Sequence, residues 1–179
     1  YIGVIHLNET ADLFFVYDNI KYTKKGWINR NRMLQNGKDV MFSLPLKCDS
    51  DHINVCQRGL STDFNRDKLL NQIKGAYRRA PYFDQTLPLI EEIVRFDDAN
   101  LFEYLHHAIV KTCAPFGITT EIRISSDIAI SHTLHKQDQV IALYSAVRAT
   151  TQVNAIVRHD CVATVSFGQR CPNSNSLNT

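Results

Sequence analysis

The chain has 179 residues and a formal net charge of +2, enough for one domain, or one with a small appendage, around a real core. A balance so near neutral argues against nucleic acid as the partner, since phosphate backbones are met by strongly basic faces. No apolar run reaches membrane-spanning length, and no signal peptide is visible in a chain that opens at Tyr1.

The first element expected is a buried strand over Leu13-Phe14-Phe15-Val16-Tyr17, ended by Asp18-Asn19. Trp27 to Leu34 and Val40 to Leu46 then flank Asn36-Gly37. Both residues of an Asn-Gly pair accept positive φ, so the two runs read as a β-hairpin. A less regular strand is expected at Ile53 to Cys56. Leu69, Leu70, Ile73, Ala76 and Tyr77 recur at helical spacing, with the helix stopped at Ala80-Pro81. A second helix is expected from Thr86 to Arg95 with Pro88 in its first turn. A third is expected from Ala99 to Pro115, ended by Gly117. Tyr77, Pro81, Tyr82 and Phe83 are expected to pack the corner between the first two. Thr119 to Ile124 alternates and reads as a strand. Asp138 is placed to N-cap a helix carrying Val140, Ile141, Leu143, Tyr144 and Val147, and a last strand is expected near Val153 to Val157. Strands thus open the chain, helices fill the middle and a β-α-β unit follows. The fold class is α/β, with a mixed sheet, an N-terminal hairpin region and a central helical segment. One domain is expected over residues 1–171, with a disordered polar tail at 172–179.

The first hairpin strand breaks the usual alternation. Trp27-Ile28-Asn29-Arg30-Asn31-Arg32 carries polar groups on both faces. A strand begun at Trp27 points Asn29 and Asn31 with the indole and Arg30 and Arg32 the other way. Two arginines so spaced can present two forks to a phosphate or diphosphate. An aromatic ring beside amides suits a sugar or a base. Lys24 and Lys25 add charge on the approach. The plainer alternative is an exposed edge strand that carries Arg and Asn to prevent edge pairing, with a core tryptophan nearby.

A resemblance enters on these residues. Tyr1-Ile2-Gly3, then Ala11-Asp12 with the strand to Tyr17-Asp18, then Lys25-Gly26-Trp27-Ile28-Asn29-Arg30-Asn31-Arg32 resemble the opening of the WbqC-like family. The likeness continues through Phe42-Ser43-Leu44-Pro45-Leu46, Ala76 to Phe83 and Thr120-Glu121-Ile122, covering about Tyr1 to Ala155. The Gly-Trp-x-Asn-Arg-Asn block is its specific part. The family's Gln-Pro-aromatic entry is absent before Tyr1, and Asn154 is not followed by Gly-Gly, so a chain truncated or altered at both ends is expected.

The resemblance implies a protein of bacterial O-antigen and related polysaccharide clusters. It implies a transferase that places an amino-acid-type acyl group on a nucleotide-linked amino sugar. In that reading Arg30, Arg32 and Lys25 hold phosphate, and Trp27 and Asn29 contact the sugar or acyl donor. Asp18, at its strand's C-terminal end, is the general-base candidate, and Asp138 or Asn154 closes the cleft. The alternative is a non-catalytic sugar-nucleotide-binding or scaffold protein, favoured by a buried Asp18–Arg30 pair. No cofactor is expected, the partner is a small molecule, and the oligomeric state is open.

Other groupings are weaker. His132, His135 and Asp138 offer three metal ligands without a fourth, and Asp138 already serves as a cap, so no metal is expected. His106 and His107 are adjacent on a helix and diverge. His159-Asp160-Cys161 invites a thiol-nucleophile reading, but catalytic partners meet in space rather than in sequence. The five cysteines, Cys48, Cys56, Cys113, Cys161 and Cys171, form no Cys-x-x-Cys pair. That suits reduced thiols, and with them a cytoplasmic protein. The Asn8-Glu9-Thr10 sequon is a chance match in that setting.

Overall fold

The computed structural model describes residues 2–50, 52–130, 136–155 and 162–166. The order is α1 (Ile2–Thr10), β1 (Leu13–Val16), β2 (Arg30–Gln35), β3 (Lys38–Ser43), α2 (Arg66–Tyr77), α3 (Phe83–Arg95), α4 (Leu101–Cys113), β4 (Glu121–Ile124), α5 (Lys136–Ala146), β5 (Thr151–Ala155) and β6 (Val162–Ser166). It is an α/β protein with three two-stranded sheets among the described residues. β1 pairs in parallel with β4, Leu13 opposite Glu121, joining chain segments more than a hundred residues apart. β2 and β3 form the expected hairpin, with Met33 opposite Val40. Its turn places Asn36 at φ 50° and Gly37 at φ 73°, the left-handed pair that a two-residue hairpin needs to match strand twist. β5 and β6 form a second antiparallel pair.

The three central helices are built by recognisable local chemistry. Asn65 caps α2 by accepting from the Lys68 N–H at 2.8 Å, and Asn100 caps α4 by accepting from Phe102 and Glu103. Asn100 also donates to the Cys56 carbonyl at 2.6 Å, tying that cap to the loop before α2. α4 tightens into a 3₁₀ turn at Ala114–Phe116 and stops at Gly117, φ 67°, where a β-carbon is costly. Lys74–Glu91 ties α2 to α3, Arg95–Asp67 does so again at 3.0 Å, and Lys111–Glu92 ties α3 to α4. Every partner in these pairs is at least a third exposed, so solvent screens the attraction and the pairs add little stability. Core burial contributes far more. Leu70 and Leu101 are 1% and 0% exposed among Leu69, Phe64, Phe102, Val94 and Tyr104.

Several expectations are corrected. The chain opens with α1, not with a strand. Ile53 to Cys56 makes only an isolated bridge at Asn54 before a 3₁₀ turn over Val55–Gln57, closed by the Gln57 side chain accepting from the Asn54 N–H. α2 ends at Tyr77, ahead of Ala80-Pro81. α3 begins at Phe83, so Pro88 lies inside it rather than in its first turn. Tyr82, expected to pack a corner, is 71% exposed. Asp138 is not an N-cap, because α5 already begins at Lys136. Residues 131–135, 156–161 and 172–179, which carry the His132/His135 grouping, His159 to Cys161 and the expected tail, lie outside the described residues.

Candidate functional site

The stretch from Tyr22 to Arg32 is shaped before it reaches the strand. Gly26 donates to Thr23 O at 2.9 Å in a tight turn, and a β-carbon at Gly26 would stand 2.5 Å from the Thr23 hydroxyl oxygen. Arg30 reaches back into this turn, Nε donating to Gly26 O at 2.6 Å and a terminal nitrogen to Lys24 O at 2.7 Å. Trp27, 57% exposed, lies under both arginines, 5.9 Å from ring centroid to the Arg30 guanidinium and 5.0 Å to that of Arg32. Such contacts are worth about 0.5–1 kcal/mol at exposed sites. The expected division of faces therefore does not hold. The strand starts at Arg30, and the irregular residues before it bring Trp27 to the arginine side. Arg32 also pairs with Asp39 at 2.9 Å in an exposed ion pair.

Asn29 has both ends of its amide committed. Its Oδ1 accepts from Tyr22 Oη at 2.9 Å and its Nδ2 donates to Leu44 O at 2.9 Å. Tyr22 is itself covered by Arg58, whose guanidinium stands 4.5 Å from the ring centroid. Arg58 is 3% exposed, donates to Asp49 O and Ser50 O, and leaves Nε without a partner. A buried guanidinium held, among the described residues, by backbone carbonyls is costly unless it organises something. Here it braces Tyr22, which braces Asn29, which fixes the entry to β2. No local pattern in the sequence marks Arg58 for this role.

Between β2 and the three central helices lies a cavity of about 360 Å³, at the lower end of the ligand-pocket range. Trp27, Asn29, Arg30, Asn31 and Arg32 line it on the β2 side, termed its rim, and Ile73, Ile90, Val94, Leu105 and Ala108 line it on the helix side, termed its floor. Asn31 spends its Oδ1 on the Arg32 N–H at 2.8 Å, leaving Nδ2 as a donor. The Leu34 N–H beside the cavity donates to Tyr77 Oη at 3.1 Å, fastening β2 to the end of α2. None of the cavity's described lining residues is a carboxylate, an imidazole or a thiol.

Asp18 is elsewhere. It is 5% exposed at the end of β1, where its Oδ1 accepts from Ser125 Oγ at 2.9 Å and from the Ser126 N–H at 3.1 Å. Burial pushes the carboxyl up, but hydrogen bonds from Ser126 and Ser125 outweigh it and hold the pKa below the ordinary aspartate value. The carboxylate thus closes the junction of β1 with the residues after β4. It makes no pair with Arg30, whose described bonds go to backbone carbonyls. The single cleft expected to hold Asp18, Lys25, Trp27, Asn29 and Arg30 resolves into two places. Trp27, Asn29, Arg30 and Arg32 meet at the cavity rim, while Asp18 and Lys25 are not among its lining residues. Lys25 is exposed in the turn before Trp27 and Asp138 is exposed on α5. Asn154 lies in β5 opposite Ala163. Among the described residues no group of three metal-ligating side chains gathers, and no helix is long and apolar enough to cross a membrane.

No curated protein and no solved structure matches this chain. A family model does, over residues 1–171, and takes in the arginine-clasped Trp27, the cavity beneath it and the Asp18 junction. The chain belongs to the WbqC-like protein family.

Proposed function

We propose that this chain serves surface-polysaccharide biosynthesis by binding a nucleotide-linked amino sugar at the cavity rim and placing its amine for acylation. Membership of the WbqC-like family suggests a polysaccharide-cluster-associated protein. The observation that carries the reading is the rim itself. Its available polar groups are donors: the Arg32 guanidinium, the remaining Arg30 nitrogen and Asn31 Nδ2. Donors around a partly exposed indole suit a ligand with oxygen acceptors, a negative charge and a flat face. Arg32 is the phosphate contact, since Asp39 holds it only at the surface. Arg30 and Asn29 shape the rim, their strongest bonds being spent inside the protein.

A second reading is favoured by one observation. An amine must shed a proton as it is acylated, and no described lining residue of the cavity accepts one. Asp18 is not among the lining residues and is weakened as a base by its serine contacts. A non-catalytic protein that presents the sugar nucleotide to a partner enzyme fits those facts. Incubation of the purified chain with nucleoside-diphosphate amino sugars and acyl thioesters, read by mass spectrometry, separates the two. An acylated sugar nucleotide supports the transferase. Saturable binding without product supports the presenting protein. The absence of any binding defeats both.

A further inference from the structure

We infer that the cavity floor receives an uncharged aliphatic acyl group, not an aminoacyl one, an inference that rests on the sugar-nucleotide reading of the rim. The floor is largely hydrocarbon, and among the described bonds two of its three hydroxyls donate to backbone carbonyls while the third, at Tyr77 on its edge, only accepts. Tyr104 Oη donates to Val94 O at 3.1 Å and Thr112 Oγ1 to Ala108 O at 2.6 Å, while Tyr77 Oη accepts from Leu34 N–H. A sugar ring lowered into this space would strand most of its hydroxyls, with the Tyr77 hydroxyl to meet one of them at the edge, and an ammonium would find no carboxylate among the described lining residues. Either burial is strongly unfavourable. An aliphatic chain meets neither objection.

Rim and floor also fit one molecule. In an N-acylated amino sugar nucleotide, one sugar ring separates the acyl chain from the diphosphate. With the phosphates on Arg32 and the ring against Trp27, the acyl chain turns into the cavity between Ile73, Leu105 and Ala108. The amino-acid-type acyl group that the family resemblance implied is replaced in this account by a plain aliphatic one.

The test uses the full chain and simple probes that share this chemistry: inorganic phosphate, butyl phosphate, hexyl phosphate and aminohexyl phosphate, titrated calorimetrically. Each methylene added from butyl to hexyl should tighten binding about fourfold, as for full burial of a CH₂ group. Aminohexyl phosphate should bind no better than inorganic phosphate. Ala108→Leu, which fills the floor, should abolish the gain with chain length while leaving inorganic phosphate binding unchanged. Should that variant fail to fold, Ile73→Ala enlarges the same space and should shift the preference to longer chains. Chain-length-independent binding, or aminohexyl phosphate binding as tightly as hexyl phosphate, overturns the inference. A chain-length series without any affinity for sugar nucleotides upholds the aliphatic floor and removes the reading of the rim. Sugar-nucleotide binding without the series does the reverse.

Discussion

The Arg32 guanidinium stands 5.0 Å from the centroid of the Trp27 ring while one of its nitrogens pairs with Asp39 at 2.9 Å. A rim arginine is thereby held in place by one stacked ring and one exposed carboxylate, with donors left over. Trp27 is the chain's one tryptophan, so its fluorescence reports directly on this rim. Asp39→Ala should release Arg32 and change Trp27 emission while altering stability by less than about 0.5 kcal/mol, the usual range for exposed positions. Unchanged emission would show that the stack does not persist in solution.

Arg30 and Arg32 should behave differently despite their spacing. Arg30→Ala removes two charge-assisted bonds to the turn carbonyls of Gly26 and Lys24 and should cost about 1.5–3 kcal/mol of stability. Arg32→Ala removes an exposed pair and should cost less than about 1 kcal/mol. Urea unfolding of the two variants checks the order, which is wrong if Arg32→Ala is the less stable.

Asp18 sets a pH dependence. Its folded pKa is depressed, so its contribution is fully present above the unfolded value, about 3.9, and is lost as pH falls through the folded value. Asp18→Asn should cost about 1–3 kcal/mol near neutral pH, with the gap to the wild type closing on acidification below about pH 4. A gap that stays constant across that window would show that the charge is not what the serines hold.

The thiols should label in order of burial. Cys48 is exposed, whereas Cys113 is buried, accepts from Asn8 Nδ2 at 3.2 Å and has its pKa raised by burial. Peptide mapping after a brief pulse of alkylating reagent should find Cys48 modified and Cys113 intact until the chain is unfolded. Early modification of Cys113 would contradict its burial beneath Asn8.

Local physics decided what the sequence revealed. The hairpin was legible because Asn36 and Gly37 carry its two positive φ values themselves. Helix α2 was legible because its apolar stripe repeats at helical spacing, and Leu69, Ile73 and Tyr77 of that stripe line the cavity. α1 was not legible, since its apolar and polar residues do not segregate to one face. The faces around Trp27 were misassigned because residues 27–29 lie before the strand and do not follow its alternation. The Asp18–Ser125 bond spans 107 residues, and nothing near either residue signals the other. Arg58 was hidden for a different reason, its described bonds going to backbone carbonyls, which any residue carries and no sequence pattern marks.

The most direct test of the central claim is calorimetric titration of a nucleoside-diphosphate-linked amino sugar into the wild type and into Arg32→Ala, with Trp27 fluorescence followed in parallel. The account predicts saturable binding that perturbs Trp27 and is weakened by about 1.5–3 kcal/mol in the variant, as for lost charge-assisted hydrogen bonds, with folding stability nearly unchanged. Binding of equal strength in both proteins, with Trp27 emission unaltered, would contradict it.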